Sequence, residues 1–178
     1  MVALKGINDI EIVDFCDFAL EKNLHVRFIE FMPFTNNGWQ KDLFIESSEI
    51  KRIVENNFHL EPIESKSSVS MNYKIKRKYS DSIKNDKYAK LGFISSISNH
   101  FCIDCNRLRI TADGKLKLCL FSTKDESLDL AELIRDVQFS NTKIFDKINE
   151  FLQKKEKEHK PIDELIKLKS NNMFYIGG

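Results

Sequence analysis

Residues 1–34 read MVALKGINDIEIVDFCDFALEKNLHVRFIEFMPF, and their pattern decides the fold class. Val2 to Leu4 form a short apolar run that stops at Gly6, with Asn8 or Asp9 placed to cap a helix. Ile12, Val13, Cys16, Ala19 and Leu20 recur at the spacing of one helical face, which predicts a helix over 10–23. Leu24 to Phe34 is an apolar run of strand length with Arg27 and Glu30 inside it, as suits a buried parallel strand. A Ser-capped helix is predicted over 48–57, with Glu49 in its first turn. Strand, helix, strand, helix is the order of a parallel α/β sheet or barrel. Two such units cannot close a barrel, and a buried strand rarely starts a chain. The expectation is therefore the later part of a larger α/β protein. Cys16 is read as core packing. Lys5 precedes a turn at a strand's C-terminal end, where α/β ligands bind, and has no other support.

Past residue 65 the pattern changes, so residues 1–65 are expected to be βα units of an incomplete barrel and residues 66–178 a separate α+β region. Strands are predicted over 71–79 and 88–98. Two more, over 107–111 and 115–120, flank Ala112-Asp113-Gly114, a hairpin signal. Helices are predicted over 128–137, 142–157 and 162–168, and the charged run from Lys154 to Lys160 reads as a solvated helix end. The chain closes on apolar Met173 to Ile176 and then Gly177-Gly178.

The bulk numbers narrow the function classes. Of 178 residues, 42% are apolar and 31% charged, and the net charge is +1, so no whole-molecule field draws the chain to nucleic acid or membrane. No run approaches the ~20 apolar residues of a membrane span, and no leader pattern stands at the N-terminus. A cytoplasmic location is expected, where clustered cysteines point to metal or redox chemistry rather than disulfides.

Three of the four cysteines lie in FCIDCNRLRITADGKLKLCLF, residues 101–121. Cys102 and Cys105 form a CxxC pair. A turn at Asp113-Gly114 brings residues near 107–110 opposite those near 116–119, and so returns Cys119 to that pair. Structural zinc wants a fourth ligand, which His100 offers. An iron–sulfur cluster held by three thiolates would keep one iron open to another ligand. Spacing leaves both open, and inert core sulfur is the bland alternative. Arg107 and Arg109 share one face if they lie on a strand. Paired guanidiniums suit phosphate or planar acceptor edges, against the plainer reading of a solvated basic face. Arg27 is a charge in an apolar strand. Glu30, three residues on, should point to the opposite face, so an external anion suits Arg27 at least as well.

KGIND, RFIEFMPF, the FCxxCNRLRxTxDGKLxxCLF block and the terminal MxYIGG resemble, in the same order, the C-terminal portion of the GTP 3′,8-cyclase family. These are the radical-SAM enzymes of molybdenum cofactor biosynthesis also called molybdenum cofactor biosynthesis protein A, and the similarity covers essentially the whole chain. The resemblance implies a radical-SAM-type β/α barrel segment followed by a cluster-binding region. The reaction it implies is conversion of GTP to (8S)-3′,8-cyclo-7,8-dihydroguanosine 5′-triphosphate. It implies an auxiliary 4Fe–4S cluster on Cys102, Cys105 and Cys119, with GTP held by Arg107, Leu108 and Arg109. Arg27, Gly177 and Gly178 take catalytic positions, and Met32 contacts S-adenosylmethionine. Without the family, Met32 is a core methionine and the terminal glycines a frayed end.

One departure stands out. The superfamily's CxxxCxxC motif, which holds the cluster that cleaves S-adenosylmethionine, does not occur in these 178 residues. The chain is accordingly expected to be a truncated or split cyclase, inactive alone, with S-adenosylmethionine and a second 4Fe–4S cluster supplied only with an N-terminal half. Expected partners are GTP, that half and a second copy of the chain, with no nucleic acid and no membrane. The rival from another class is a Cys3His zinc-binding interaction module, with the basic strand Lys74, Lys76, Arg77 and Lys78 in its favour.

Overall fold

The computed structural model describes residues 1–64, 69–78, 87–123, 125–136 and 140–168. Gly177 and Gly178 lie outside them, as does the apolar run before them. Two compact units are present: Met1–Met32 with Trp39–Asp104, and Pro33–Gly38 with Cys105–Gly178.

The first unit is a five-stranded mixed sheet with helices over one face. In chain order its elements are β1 (Val2–Ala3), α1 (Ile12–Lys22), β2 (His25–Glu30), α2 (Ser47–Asn57), β3 (Phe58–Ile63), β4 (Met71–Arg77) and β5 (Ala89–Ile94). The strand order is β1-β2-β5-β4-β3. β1, β2 and β5 run parallel, while β4 is antiparallel to both β5 and β3. Ile12, Cys16 and Ala19 on α1 and Ile50 and Val54 on α2 repeat every three or four residues, so each helix has one apolar face. Those faces bury Phe28, Tyr73, Ile75, Leu91 and Phe93, the alternate residues of β2, β4 and β5. Asn23 ends α1 in the left-handed region (φ 52°), and Leu24 N–H donates back to the Ala19 carbonyl at 3.0 Å.

The second unit holds β6 (Arg109–Ile110), β7 (Lys115–Lys117) and β8 (Ser127–Asp129), an antiparallel three-stranded sheet, followed by α3 (Leu130–Arg135), α4 (Asn141–Leu152) and α5 (Ile162–Leu165). Asp129 and Ser140 cap α3 and α4 by accepting the N–H groups of Glu132 and Lys143. Gly114 turns the β6–β7 hairpin at φ +82°, with Ala131 so close that a Cβ there would stand 2.6 Å from it. Phe34 stacks on Phe121 with ring centroids 5.4 Å apart.

The strand–helix–strand–helix reading of residues 1–57 is met by a mixed α/β unit whose sheet contains parallel strands. β3 and β8 were not expected. β3 carries Pro62 and no clean alternation, and β8 is three residues long. No helix among the described residues is long and apolar enough to cross a membrane.

Cys16 is fully buried in the first unit's core. Burial first, then the neighbouring Asp17, pushes its thiol from 9.0 up to about 12, with Arg77 opposing. An unfolded chain ionises this thiol near pH 9 while the core keeps it neutral, so its contribution to stability is complete below pH 9 and lost as the pH rises toward 12. Urea unfolding across that range is expected to show a shallower loss of stability in Cys16→Ala than in the parent chain. Equal slopes would contradict the assignment.

Candidate functional site

In the second unit, chemistry gathers at the open end of the β6–β7 hairpin. Register pairs Arg109 with Lys117 and Ile110 with Leu116, the hairpin that the Asp-Gly turn implied. Cys119 follows β7 by two residues, in a turn closed from both sides. Cys119 N–H donates to Ser122 Oγ at 3.2 Å, and Ser122 N–H donates to the Cys119 carbonyl at 3.3 Å. Lys117 is 1% exposed and its Nζ donates to the Ser122 carbonyl at 2.5 Å, which locks that turn. Burial holds the Lys117 ammonium below its ordinary pKa, against the pull of Glu126, Asp113 and Cys119.

Cys105 is surrounded by donors. Burial raises its pKa, but the Arg107 backbone N–H and side chain both donate to the sulfur, and the charges of Lys155 and Arg107 add to them. The balance is a thiol below its ordinary value. Lys155 Nζ stands 3.9 Å from Cys105 Sγ and donates to the Arg107 carbonyl at 2.8 Å. Half-buried Arg109 lies within electrostatic reach of both Cys105 and Cys119. Burial lowers its pKa, Arg107 lowers it further, and the two sulfurs act the other way. The strand starts only at Arg109, so Arg107 and Leu108 stand in the preceding loop and both are exposed. The two arginines would share a face only if both lay on the strand, and Arg107 does not.

In the first unit, Cys102 opens a single helical turn, Cys102–Asp104, and its sulfur lies within 4.8 Å of a ring nitrogen of His100. The segment leading there is tied down by Glu30, at the end of β2 and fully buried. Its carboxylate accepts from Ser47 N–H at 2.8 Å, Ile97 N–H at 2.8 Å, Ser98 N–H at 3.0 Å and the Ser98 hydroxyl. This also explains the start of α2. Its first residue is Ser47, no side chain of its own caps it, and Glu30 takes the role expected of a serine cap. Arg27 and Glu30 do face opposite ways. Arg27 is exposed on the face without helices, and its stem lies over Gly92, where a Cβ would come within 3.1 Å of Arg27 Cγ and 2.5 Å of Ser70 Oγ. Met32 is half-buried two residues past β2, and Lys5 pairs with Glu49 at 3.4 Å. None of the four cysteines is in a disulfide.

Glu30, Lys117 and Lys155 were missed as site residues. Glu30 was weighed only as a partner for Arg27. Strand alternation puts Lys117 opposite Leu116 and Leu118, with no sign in the sequence that its side is closed. Lys155 was hidden in a charge run.

Residues 24–161 match the family model Molybdenum Cofactor Synthesis C. The chain is 36% identical over 176 residues to molybdenum cofactor biosynthesis protein 1 of Dictyostelium discoideum, a match covering 99% of this chain and 27% of that protein. It is 43% identical over 136 residues to a GTP 3′,8-cyclase of Thermodesulfovibrio yellowstonii, covering 76% and 39%. A Clostridium botulinum GTP 3′,8-cyclase is 38% identical over 179 residues, covering 99% and 50%. The chain therefore spans from about a quarter to half the length of these curated relatives.

Glu30→Gln would turn an NH2 group toward backbone N–H donors that now meet a carboxylate oxygen. A loss of about 2–3 kcal/mol in urea unfolding is expected. A change under about 0.5 kcal/mol, the range of an ordinary surface substitution, would show that Glu30 does not organise the unit.

Proposed function

The chain belongs to the Molybdenum Cofactor Synthesis C family, and from that membership we propose that it is the cluster- and substrate-holding part of a GTP 3′,8-cyclase in molybdenum cofactor biosynthesis. On this reading Cys102, Cys105 and Cys119 hold an auxiliary 4Fe–4S cluster. Residues 1–65 are βα units of a radical-SAM-type barrel, and residues 66–178 are the cluster and GTP region. Arg107, Leu108 and Arg109 bind GTP, Arg27, Gly177 and Gly178 take part in catalysis, and Met32 contacts S-adenosylmethionine.

The observation that carries the proposal is the donor set of the second unit. Arg109 lies in reach of both Cys105 and Cys119, and the Cys105 sulfur is met by an N–H and two cations that favour its thiolate. Thiolates in that setting suit a cluster. When bound, the cluster supplies an iron with an open coordination position to which a purine can be directed. The protein's part is binding and orientation. Arg109 stays protonated, offers a planar fork of N–H donors, and is half-buried, so its charge is less screened than that of a surface arginine. Exposed Arg107 supplies a second fork two residues away. Together they neutralise a polyphosphate and restrict its approach. Arg27 is exposed on the face without helices, where its guanidinium is open to an anionic ligand.

One observation favours a second reading. The His100 ring nitrogen within 4.8 Å of the Cys102 sulfur suits a Cys3His zinc module.

Metal analysis of protein purified without oxygen separates the two. About four irons and four sulfides per chain are expected, with most lost in Cys119→Ser. GTP binding is then expected to weaken about tenfold or more in Arg109→Ala, the worth of one charge-assisted hydrogen bond. One zinc and no iron would overturn the cyclase reading.

A further inference from the structure

Lys155 is the cation that the reading above does not use. It follows α4 by three residues, inside the charged run from Lys154 to Lys160, yet it is half-buried. Two tight turn bonds, Lys154 N–H to the Phe151 carbonyl at 3.0 Å and Lys155 N–H to the Leu152 carbonyl at 3.1 Å, curl the helix end and fix where the side chain departs. The ammonium then meets two groups of a segment some fifty residues earlier: the Arg107 carbonyl at 2.8 Å and Cys105 Sγ at 3.9 Å. None of the ion pairs among the described residues involves Lys155. A lysine in a mixed run of lysines and glutamates that turns to a carbonyl and a sulfur is placed by those two groups.

The chemistry of the pair is specific. The Arg107 carbonyl belongs to the residue whose own N–H donates to Cys105, so Lys155 closes a small loop that fixes both the sulfur and the start of the arginine segment. A cation and an N–H donor beside a thiolate draw electron density from it. Beside a cluster ligand, hydrogen bonds to sulfur and local net charge are what set the reduction potential.

Resting on the cluster reading, we propose that Lys155 is a positioning residue for the Cys105 ligand: its ammonium clamps the Cys105–Arg107 turn and hydrogen-bonds the Cys105 thiolate, so that a cluster held there is more easily reduced. The sign follows from charge. Reduction adds one negative charge to the cluster, and a neighbouring cation stabilises that state more than the oxidised one.

The test is a dithionite titration of the anaerobic full-length chain, followed by the EPR signal of the reduced cluster and with iron content measured on each sample. Lys155→Met, which keeps the stem and removes the charge, is expected to hold iron as the parent does. Its reduced-to-oxidised ratio at a fixed potential should fall about tenfold, a ~59 mV shift to more negative potential for a one-electron couple. Lys155→Arg, which restores charge and donors, should recover most of that shift. Full iron and an unchanged potential in Lys155→Met would overturn the proposal. If Lys155→Met fails to hold iron, Lys155→Arg decides: restored iron and potential support the clamp, and an equal loss overturns it. A parent chain without an iron–sulfur cluster would overturn the cluster reading itself, and is told apart by the parent's own iron content.

Discussion

A single buried carboxylate organises the first unit. Glu30 is fully excluded from solvent, and burying an ionised carboxylate costs several kcal/mol even after relaxation. It accepts three backbone N–H groups and a hydroxyl, and hydrogen bonds to a charged group contribute roughly 1.5–3 kcal/mol each. Those bonds offset the cost of burial. The value of Glu30 is geometric. One oxygen faces the N-terminus of α2, where the helix dipole favours negative charge, and the other faces the segment after β5. The parallel pair β2–β5, the helix between β2 and β3, and the approach to His100 and Cys102 are thereby referred to one point.

β2 shows how much a two-residue period decides. Phe28 and Glu30 point into the helix-covered side and Arg27 to the other, so the same six residues supply core, organiser and a candidate ligand contact. That division was legible in the sequence, because alternation and the apolar run fix it. The βα order and the Asp-Gly hairpin were legible for the same reason, each being a local pattern with a local cause. What stayed hidden depends on distant partners. Nothing within RFIEF reveals that Glu30 meets residues seventeen, sixty-seven and sixty-eight positions away. Lys155 is equally opaque, because one lysine in a run of mixed charges looks the same whether it is solvated or reaches a sulfur. The strand face that would join Arg107 and Arg109 is absent for a nearer reason: β6 begins only at Arg109, so Arg107 stands in the loop before it.

The second unit concentrates charge that the whole chain does not have. A net charge of +1 spread over 178 residues gives no field, yet Arg107, Arg109, Lys117 and Lys155 all stand around two sulfurs. Lys117 acts through the backbone, by holding the Ser122 carbonyl that closes the Cys119 turn. Lys155 and Arg107 act on the Cys105 sulfur directly. Burial works against the thiolate and loses there, because an N–H donor and two cations are arranged at short range.

The arginines carry the argument one step further. Arg107 and the two sulfurs perturb Arg109 in opposite directions, so that guanidinium sits between a repulsive neighbour and two attractive sulfurs. Binding a metal draws on the thiolate charge and weakens that attraction, while the repulsion from Arg107 stays. A site arranged this way is better satisfied with an anion across both guanidiniums than without one. On the proposed reading, a polyphosphate next to a metal-bound set of cysteines meets that demand. The same electrostatics that favour loading the sulfurs therefore favour an anionic partner beside them, which ties metal site and nucleotide site into one device on the proposed reading.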